Sequence, residues 1–242
     1  MKSINNAVVL GASGGIGAAF VENLAARDRV EHVFALSRTA PTTTSSKTTS
    51  LITDYTAPET LAAAAAHIAQ AGPLDLVIIA TGILHGDEGF APEKSLRDLD
   101  AEKLARAYLI NTIGPALAAK HFLPLMRKDE RSVFAALSAR VGSISDNRMG
   151  GWYGYRAAKS ALNQIIKTAS IEHARRWPKG IVVGLHPGTV DTDLSKPFQR
   201  NVQDNKLFKP AFSAGKMLDV LSDLVPADTG KIFDWAGKEV PA

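Results

Sequence analysis

The sequence of 242 residues lacks cysteine altogether, which excludes disulfides, thiol nucleophiles and thiolate metal sites. It also lacks any apolar run near the roughly 20 residues that a membrane-spanning helix needs, and it lacks an N-terminal signal pattern. Its 28 Lys and Arg almost balance its 24 Asp and Glu, and no basic stripe favours nucleic acid. Its 6 His show no ligand-like pairing with acids, so no metal site is expected. We therefore expect a cytoplasmic protein that binds neither membranes nor nucleic acid.

What the sequence does contain is a regular alternation of short apolar runs with helical segments. Strands are predicted at residues 7–10, 32–38, 51–54, 74–82, 132–138, 181–186 and 230–234. Helices are predicted directly after residues 11–17 and at residues 58–71, 100–126, 152–176 and 213–224. This alternation predicts an α/β fold with one Rossmann-type domain over residues 1–242, in which a doubly wound parallel sheet of about seven strands carries helices on both faces. Ligands of such sheets lie at the carboxyl ends of the strands, and residues 193–212 are expected to form a lid there.

The first predicted strand runs into a glycine-rich turn with the spacing Gly-x-x-x-Gly-x-Gly. Strand, glycine loop and helix in this order place backbone N–H groups and a helix N-terminus against a phosphate. Glycine permits positive φ and lets a diphosphate approach the backbone without a Cβ in the way. No Gly-Lys-Ser/Thr follows, so the turn is not a P-loop. The residues predicted to hold a dinucleotide here are Gly11, Ser13, Gly14, Gly15, Ile16 and Gly17.

The end of the second predicted strand bears on which dinucleotide is bound. In dinucleotide-binding folds, an acid about 20 positions past the glycines selects the free 2′-hydroxyl of the adenosine ribose. This sequence has Ser37 and Arg38 there instead, and a guanidinium can bind a 2′-phosphate with two hydrogen bonds. NADP(H) is therefore the preferred prediction, and NAD(H) remains an alternative. Asp54, at the end of the third strand, either caps the helix that follows or contacts the adenine amino group.

The chemistry-bearing residues lie in the second half of the predicted sheet. Tyr155 and Lys159 are four positions apart at the start of a predicted helix, so both lie on one face of it. A phenol has an unperturbed pKa of about 10, and a fixed ammonium nearby is expected to lower that pKa into the working range of an acid–base catalyst. Ser138 ends the fifth strand, where a ligand would lie. Asn111 precedes the helix-breaking Pro115, and such an Asn either faces a functional site or satisfies the loosened backbone.

The order of these residues along essentially the whole chain resembles the short-chain dehydrogenases/reductases. The motifs that carry the resemblance are the glycine spacing, Asn111, Ser138, Tyr155-x-x-x-Lys159 and the pair Pro187-Gly188. Residues 138–144, 151–156 and 230–238 are most similar to the C-factor and sniffer-type carbonyl reductase branch of that family. The resemblance implies hydride transfer between NADP(H) and a small-molecule carbonyl or alcohol. It also implies a homo-oligomer, a dimer or a tetramer, formed through the predicted helices at residues 100–126 and 152–176.

The resemblance further implies a role for each matching residue. Tyr155 would be the general acid in reduction and the general base in oxidation, and Lys159 would lower its pKa and hold the nicotinamide ribose. Ser138 would hydrogen-bond the substrate carbonyl oxygen, and Asn111 would help to order a water path to Lys159. The cofactor contacts implied beyond the glycine loop are Ala80, Thr81, Gly82, Tyr155, Lys159, Pro187, Gly188, Val190 and Thr192.

The sequence also departs from the family pattern. Residues 79–82 are Ile-Ala-Thr-Gly, where the family often has Asn-Asn-Ala-Gly. The first two positions therefore lack the family's polar side chains, and we expect only backbone contacts from them. Ser138 lies 17 positions before Tyr155, a longer interval than is common, so Ser143 or Ser145 is an alternative for the serine role. The glycine loop has no basic residue, although many NADP(H)-preferring relatives carry one there.

A second function is compatible with the same motifs. Members of the branch that the chain resembles are linked to developmental signalling, so a cofactor-binding signalling or regulatory protein with little turnover is the alternative to an oxidoreductase. A pure sensor, however, has no need of Ser138, Tyr155 and Lys159 together. The sequence therefore favours the enzyme.

Overall fold

The computed structural model describes residues 3–40, 45–87 and 89–241, without the side chains of Asn201 and Asp204. Within this part of the chain, seven parallel strands form one sheet and two short strands pair separately. In chain order the nine strands are Ile4–Leu10 (β1), Val30–Ser37 (β2), Thr48–Ile52 (β3), Leu76–Ile79 (β4), Ser132–Leu137 (β5), Gly180–His186 (β6), Thr189–Val190 (β7), Leu207–Phe208 (β8) and Ile232–Asp234 (β9). The large sheet has the order β3-β2-β1-β4-β5-β6-β9, so the predicted doubly wound parallel sheet is confirmed.

Helices cover both faces of this sheet, as the sequence predicted. They are Gly15–Ala25 (α1), Glu59–Ala69 (α2), Ala101–Tyr108 (α3), Gly114–Phe122 (α4), Tyr153–Ala174 (α5) and Pro210–Asp223 (α6). On one face, α1 and α6 bury their apolar stripes against the sheet, and on the other face α2, α4 and α5 do so. The strands β4 and β5 are buried along their whole length because both of their faces are covered. Among the described residues, no helix has both the length and the apolar character that crossing a bilayer requires.

The helical region predicted at residues 100–126 is less regular than expected. It consists of α3, a π-helical turn at Leu109–Ile113, α4, and a 3-10 turn at Leu123–Leu125. We predicted the irregularity at Pro115, but Pro115 lies in the first turn of α4, where its missing N–H is tolerated. The irregular hydrogen bonding is instead in the π-helical turn just before it, and this turn contains Asn111.

A tight contact joins the start of α4 to the end of β4. A Cβ on Gly114 would lie 2.0 Å from Cδ2 of the Tyr55 ring, so only glycine admits this ring. The buried Tyr55 hydroxyl is 2.9 Å from the Thr81 hydroxyl, directly after β4. Residues 79–82 therefore have a side-chain anchor here, although they lack the asparagines that are common in the family.

Candidate active site

The glycine loop between β1 and α1 is shaped by close backbone approaches. Gly11 has a φ of +83°, and a Cβ at this position would lie 2.9 Å from the backbone of Ala80. A Cβ on Gly17 would lie 2.0 Å from the carbonyl oxygen of Gly11, so a side chain there is excluded. Gly14 caps α1 without any side-chain hydrogen bond, and residues 13–15 are exposed. The first turn of α1 therefore presents backbone donors to solvent, which is the environment that a diphosphate needs.

The segment after β6 closes over this loop. A Cβ on Gly15 would lie 2.7 Å from the Thr192 methyl carbon, so Thr192 occupies the space beside Gly15. Gly188 has a φ of +76° and packs against the Phe208 ring, where a side chain would clash at 2.7 Å. Val190 is buried and pairs with Phe208 between β7 and β8. Of the residues predicted to bind the cofactor from residues 187–192, Thr192 thus lies directly beside the glycine loop, whereas Gly188 and Val190 pack on Phe208.

The residues predicted at the adenosine ribose differ in their exposure. Ser37 is buried, and its hydroxyl donates to the Thr39 carbonyl oxygen at 2.5 Å, so it is turned away from solvent. Arg38 is exposed directly beside it. The Asp54 carboxylate accepts from the Thr56 N–H and hydroxyl, both at 2.8 Å, and these bonds lower its pKa. Asp54 does not cap α2, whose cap residue is Pro58, so that alternative is wrong.

Tyr155 and Lys159 lie on one face of α5, as their spacing required. The Lys159 Nζ is 5.7 Å from the centre of the Tyr155 ring and donates to the Leu137 carbonyl oxygen at 2.8 Å. Lys159 is only 2% exposed, and this burial lowers its pKa to about 7. Burial raises the pKa of Tyr155 to about 12. The pKa of the phenol is therefore shifted upward by burial, and not downward by the ammonium as the spacing led us to expect.

Ser138 lies beside α5 at the end of β5, but its hydroxyl points into the protein. It is 3% exposed and donates to the Asn163 Oδ1 at 2.6 Å. The alternative Ser143 is 1% exposed, accepts from the Asp146 N–H at 3.1 Å and lies 3.4 Å from the Ser145 hydroxyl. Each serine that we predicted for the carbonyl contact is thus engaged by the protein itself, and the Ser138 proton is committed to Asn163.

Asn111 is fully buried and satisfies local backbone groups. Its Nδ2 donates to the carbonyl oxygens of Ala107 at 3.0 Å and Ile83 at 2.9 Å, and its Oδ1 accepts from the Ile83 N–H at 3.1 Å. The bond to Ala107 pairs a carbonyl that the π-helical turn loosens. A Cβ on Gly82 would lie 3.4 Å from the Asn111 Oδ1 and 3.9 Å from the Lys159 Nζ. Asn111 therefore holds the segment after β4 next to Lys159.

One aromatic ring contacts Tyr155, and a second aromatic ring packs behind the first. The Trp152 ring lies 6.3 Å from the Tyr155 ring and 5.0 Å from the Phe198 ring, between ring centres. Phe198 belongs to the segment predicted as a lid and also contacts His85, whose Nε2 is 2.8 Å from the Asp193 carbonyl oxygen. The predicted segment at residues 193–212 is shorter than expected, because α6 begins at Pro210 rather than at residue 213.

Some residues of the site were not anticipated from the sequence. His186 ends β6, and burial lowers its pKa to about 4, so the ring is neutral at pH 7. Among the described residues, no group hydrogen-bonds its buried Nδ1. Glu93 is a buried acid whose carboxyl group contacts the start of α5. A lone acid in a loop carries no sequence signal, whereas His186 was identifiable from its place immediately before the Pro-Gly pair.

The geometry fits a dinucleotide better than a metal ion. The glycine loop exposes backbone at residues 13–15, the buried Lys159 lies beside Gly82, and the buried His186 Nδ1 has no hydrogen-bond partner among the described residues. Within residues 3–40, 45–87 and 89–241, no group of three or more His, Asp or Glu side chains is arranged to hold a metal. The donors present are backbone N–H groups and nitrogen-bearing side chains, which suit phosphates and ribose hydroxyls.

Known proteins are similar to this chain in sequence and in fold. The family model described as "short chain dehydrogenase" matches residues 5–203. The chain belongs to the short-chain dehydrogenases, a family of oxidoreductases with this α/β fold. C-signal from Myxococcus xanthus is 36% identical over 171 residues, which cover 70% of this chain and 93% of that protein.

Solved structures agree with this assignment and with the carbonyl reductase branch. The NADPH-bound carbonyl reductase from chicken fatty liver superposes with a TM-score of 0.86 at 26% identity, over 100% of this chain and 96% of the other. The carbonyl reductase Sniffer of Drosophila melanogaster has the same fold, with a TM-score of 0.84 at 21% identity over 99% of this chain and 100% of the other. The resemblance read from the sequence is therefore confirmed.

Proposed function

We propose that this protein is an NADP(H)-dependent reductase of small-molecule carbonyl compounds, with Tyr155 as the acid that protonates the carbonyl oxygen. The observation that carries the proposal is the position of Tyr155 and the buried Lys159 on one face of α5, with Lys159 next to Gly82 at the crevice. The bound NADPH that is named for the chicken carbonyl reductase supports the choice of cofactor. Backbone donors of residues 13–17 would hold the diphosphate.

The protonation state of Tyr155 suits the role of a general acid in carbonyl reduction. Burial raises the pKa of Tyr155 to about 12, so its hydroxyl keeps its proton at neutral pH and can donate it as negative charge develops on the carbonyl oxygen. Burial lowers the pKa of Lys159 to about 7, so this amine can take up and release a proton near neutral pH. The dinucleotide supplies the hydride when it is bound. Trp152, which contacts the Tyr155 ring and is itself covered by Phe198, would exclude water from one side of Tyr155.

The hydrogen bonds of Ser138 and Asn111 bear on their roles in the proposed mechanism. The Ser138 hydroxyl donates to Asn163, so we propose that Ser138 orients α5 rather than binding the substrate oxygen. Asn111 likewise acts on backbone groups, through its three hydrogen bonds at residues 83 and 107. We propose that Asn111 helps to order a water path to Lys159 through the segment after β4 that it holds.

The preference for NADP(H) is expected to depend on Arg38. Replacing Arg38 with Asp should weaken NADPH binding about 10- to 100-fold, because a charge-assisted contact to the 2′-phosphate is worth about 1.5–3 kcal/mol. NADH binding should change little. The measurement is a fluorescence titration of each dinucleotide, and Arg175→Asp is the control because Arg175 is an exposed arginine at the far end of α5. An equal loss for both dinucleotides would contradict the role of Arg38.

Activity separates the enzyme from the alternative of a signalling protein with little turnover. The relative named C-signal keeps that alternative open. We expect a panel of aldehydes and ketones to include compounds that oxidise NADPH well above background, followed by absorbance. Apolar and aromatic members of the panel should react best, because the Trp152 ring lies beside Tyr155 and the Phe198 ring packs on Trp152. No oxidation above background across the panel would favour the signalling protein.

The remaining proposals follow from the family. We propose one domain over the whole chain, a cytoplasmic location, and a dimer or tetramer formed through the outward faces of α4 and α5. The exposed Ile171 on α5 supports this surface as an interface. We also propose that the segment from residue 193 to the start of α6 acts as the lid, because Leu194 and Phe198 already contact the crevice.

A further inference from the structure

Glu93 is a buried acid that the proposed mechanism does not use. It lies in the segment between β4 and α3 and is 6% exposed. Glutamate is seldom buried to this extent unless its carboxyl group has partners. Its partners here are backbone groups at the start of α5, the helix that carries Tyr155 and Lys159.

The start of α5 is unusual in its backbone. Gly150, Gly151 and Trp152 have φ values of 64°, 66° and 53°, so the chain enters the helix through left-handed residues. Among the described residues, Trp152 is the only one other than glycine with a positive φ. Its side chain makes no capping hydrogen bond. The N–H groups of a first helical turn have no acceptor within their own helix, so these must find one elsewhere.

Glu93 supplies those acceptors from a distant part of the sequence. Its backbone carbonyl oxygen accepts from the Trp152 N–H at 2.5 Å, and its Oε2 accepts from the Gly154 N–H at 3.0 Å. A carboxylate at this end of a helix is also favoured by the helix dipole. Gly154 makes the approach feasible, because a Cβ there would lie 2.9 Å from the Glu93 Oε1 and 3.0 Å from the Leu104 Cδ2.

We propose that Glu93 is a positioning residue that fixes the first turn of α5 and thereby the Tyr155 hydroxyl. The peptide N–H that its carboxyl group binds belongs to the residue immediately before Tyr155. The same segment carries His85, which contacts the Phe198 ring. Glu93 thus connects the segment between β4 and α3, which contacts Phe198, to the helix that carries Tyr155 and Lys159. This inference rests on the proposed function, since it presumes that Tyr155 transfers the proton.

The test compares Glu93→Ala with Glu93→Gln. Glu93→Ala removes the carboxyl acceptor and should lower kcat about 10- to 100-fold, because a small misplacement of an acid–base group costs this much. KM and NADPH affinity should stay within about twofold of the wild type. Glutamine keeps an acceptor oxygen and should restore kcat to within about threefold of the wild type. Glu59→Ala is the control, since Glu59 is an exposed acid in the first turn of α2. An unchanged kcat in Glu93→Ala, or a glutamine variant as slow as the alanine variant, would overturn the proposal.

A second variant tests the same contact from the other side. Gly154→Ala places a methyl group against the Glu93 carboxyl group and should lower kcat as well. In the double variant Glu93→Ala/Gly154→Ala, the fold-loss of kcat should be smaller than the product of the two single fold-losses. Both single variants disturb the same contact, and that contact can be lost only once. Fully multiplicative losses would count against the contact. If Tyr155→Phe is inactive while Glu93→Ala is fully active, this inference fails alone, whereas an active Tyr155→Phe variant defeats the proposed function itself.

Discussion

Replacement of Tyr155 with phenylalanine should lower turnover by about two to four orders of magnitude, the usual range for loss of an acid–base group. NADPH affinity should stay nearly unchanged, because the glycine loop and Arg38 lie on other elements. The ring that packs edge-on against Trp152 is kept, so the variant should fold normally. Steady-state kinetics with the best carbonyl substrate and a separate NADPH titration measure the two effects.

Tyr153 provides the matched control for this experiment. It lies on the same turn of α5, but its side chain is 36% exposed. Tyr153→Phe removes the same oxygen atom and should leave turnover within about threefold of the wild type. A Tyr155→Phe variant that retains full turnover would show that another group donates the proton.

Replacement of Lys159 with methionine should abolish most of the turnover as well, and it should change the pH dependence of stability. Methionine fills a similar volume but carries no proton, so turnover should fall at least about 100-fold. The lost bond to the Leu137 carbonyl oxygen leaves a buried acceptor unpaired, at a cost of about 1–3 kcal/mol. Kinetics and urea unfolding of the same preparation measure both consequences.

The sign of the pH effect follows from the pKa of Lys159. Burial lowers this pKa from 10.5 to about 7, so between these values the unfolded chain binds more protons than the folded chain. The contribution of Lys159 to the free energy of unfolding therefore rises with pH across that window, by up to about 1.4 kcal/mol per pH unit. Below pH 7, the cost of burying the charged amine applies in full. The methionine variant should lose this rise between pH 7 and pH 9. Lys216→Met, at an exposed lysine of α6, should keep it, and a wild-type slope in Lys159→Met would contradict the assignment.

The sheet was predictable from the sequence because its strands are buried on both faces. Continuous apolar runs such as those of β4 and β5 are typical of parallel strands that are covered on both faces. The glycine loop was predictable for a different reason. A tight turn between a strand and a helix requires glycines at this spacing because side chains do not fit there. The structure adds that only Gly11 needs a positive φ, while Gly15 and Gly17 are required by neighbouring atoms.

The orientation of individual polar side chains was not predictable. Ser138 has the expected place at the end of β5, yet its proton is taken by Asn163 from the helix that packs against that strand. The direction of the pKa shift at Tyr155 depends on burial, which a spacing of four positions does not encode. Glu93 was missed because its partners are backbone groups about 60 residues away in the chain, and backbone groups leave no mark in a sequence.

The contact between Thr192 and Gly15 has a thermodynamic consequence. The Thr192 methyl group forms part of the rim of the glycine loop, and the residues that follow it cover Trp152 and Gly82. On the proposed function, a rearrangement of that cover would reshape the diphosphate site. By linkage, if a carbonyl compound that holds the cover in place changes the affinity for the dinucleotide, then the dinucleotide changes the affinity for the carbonyl compound by the same factor.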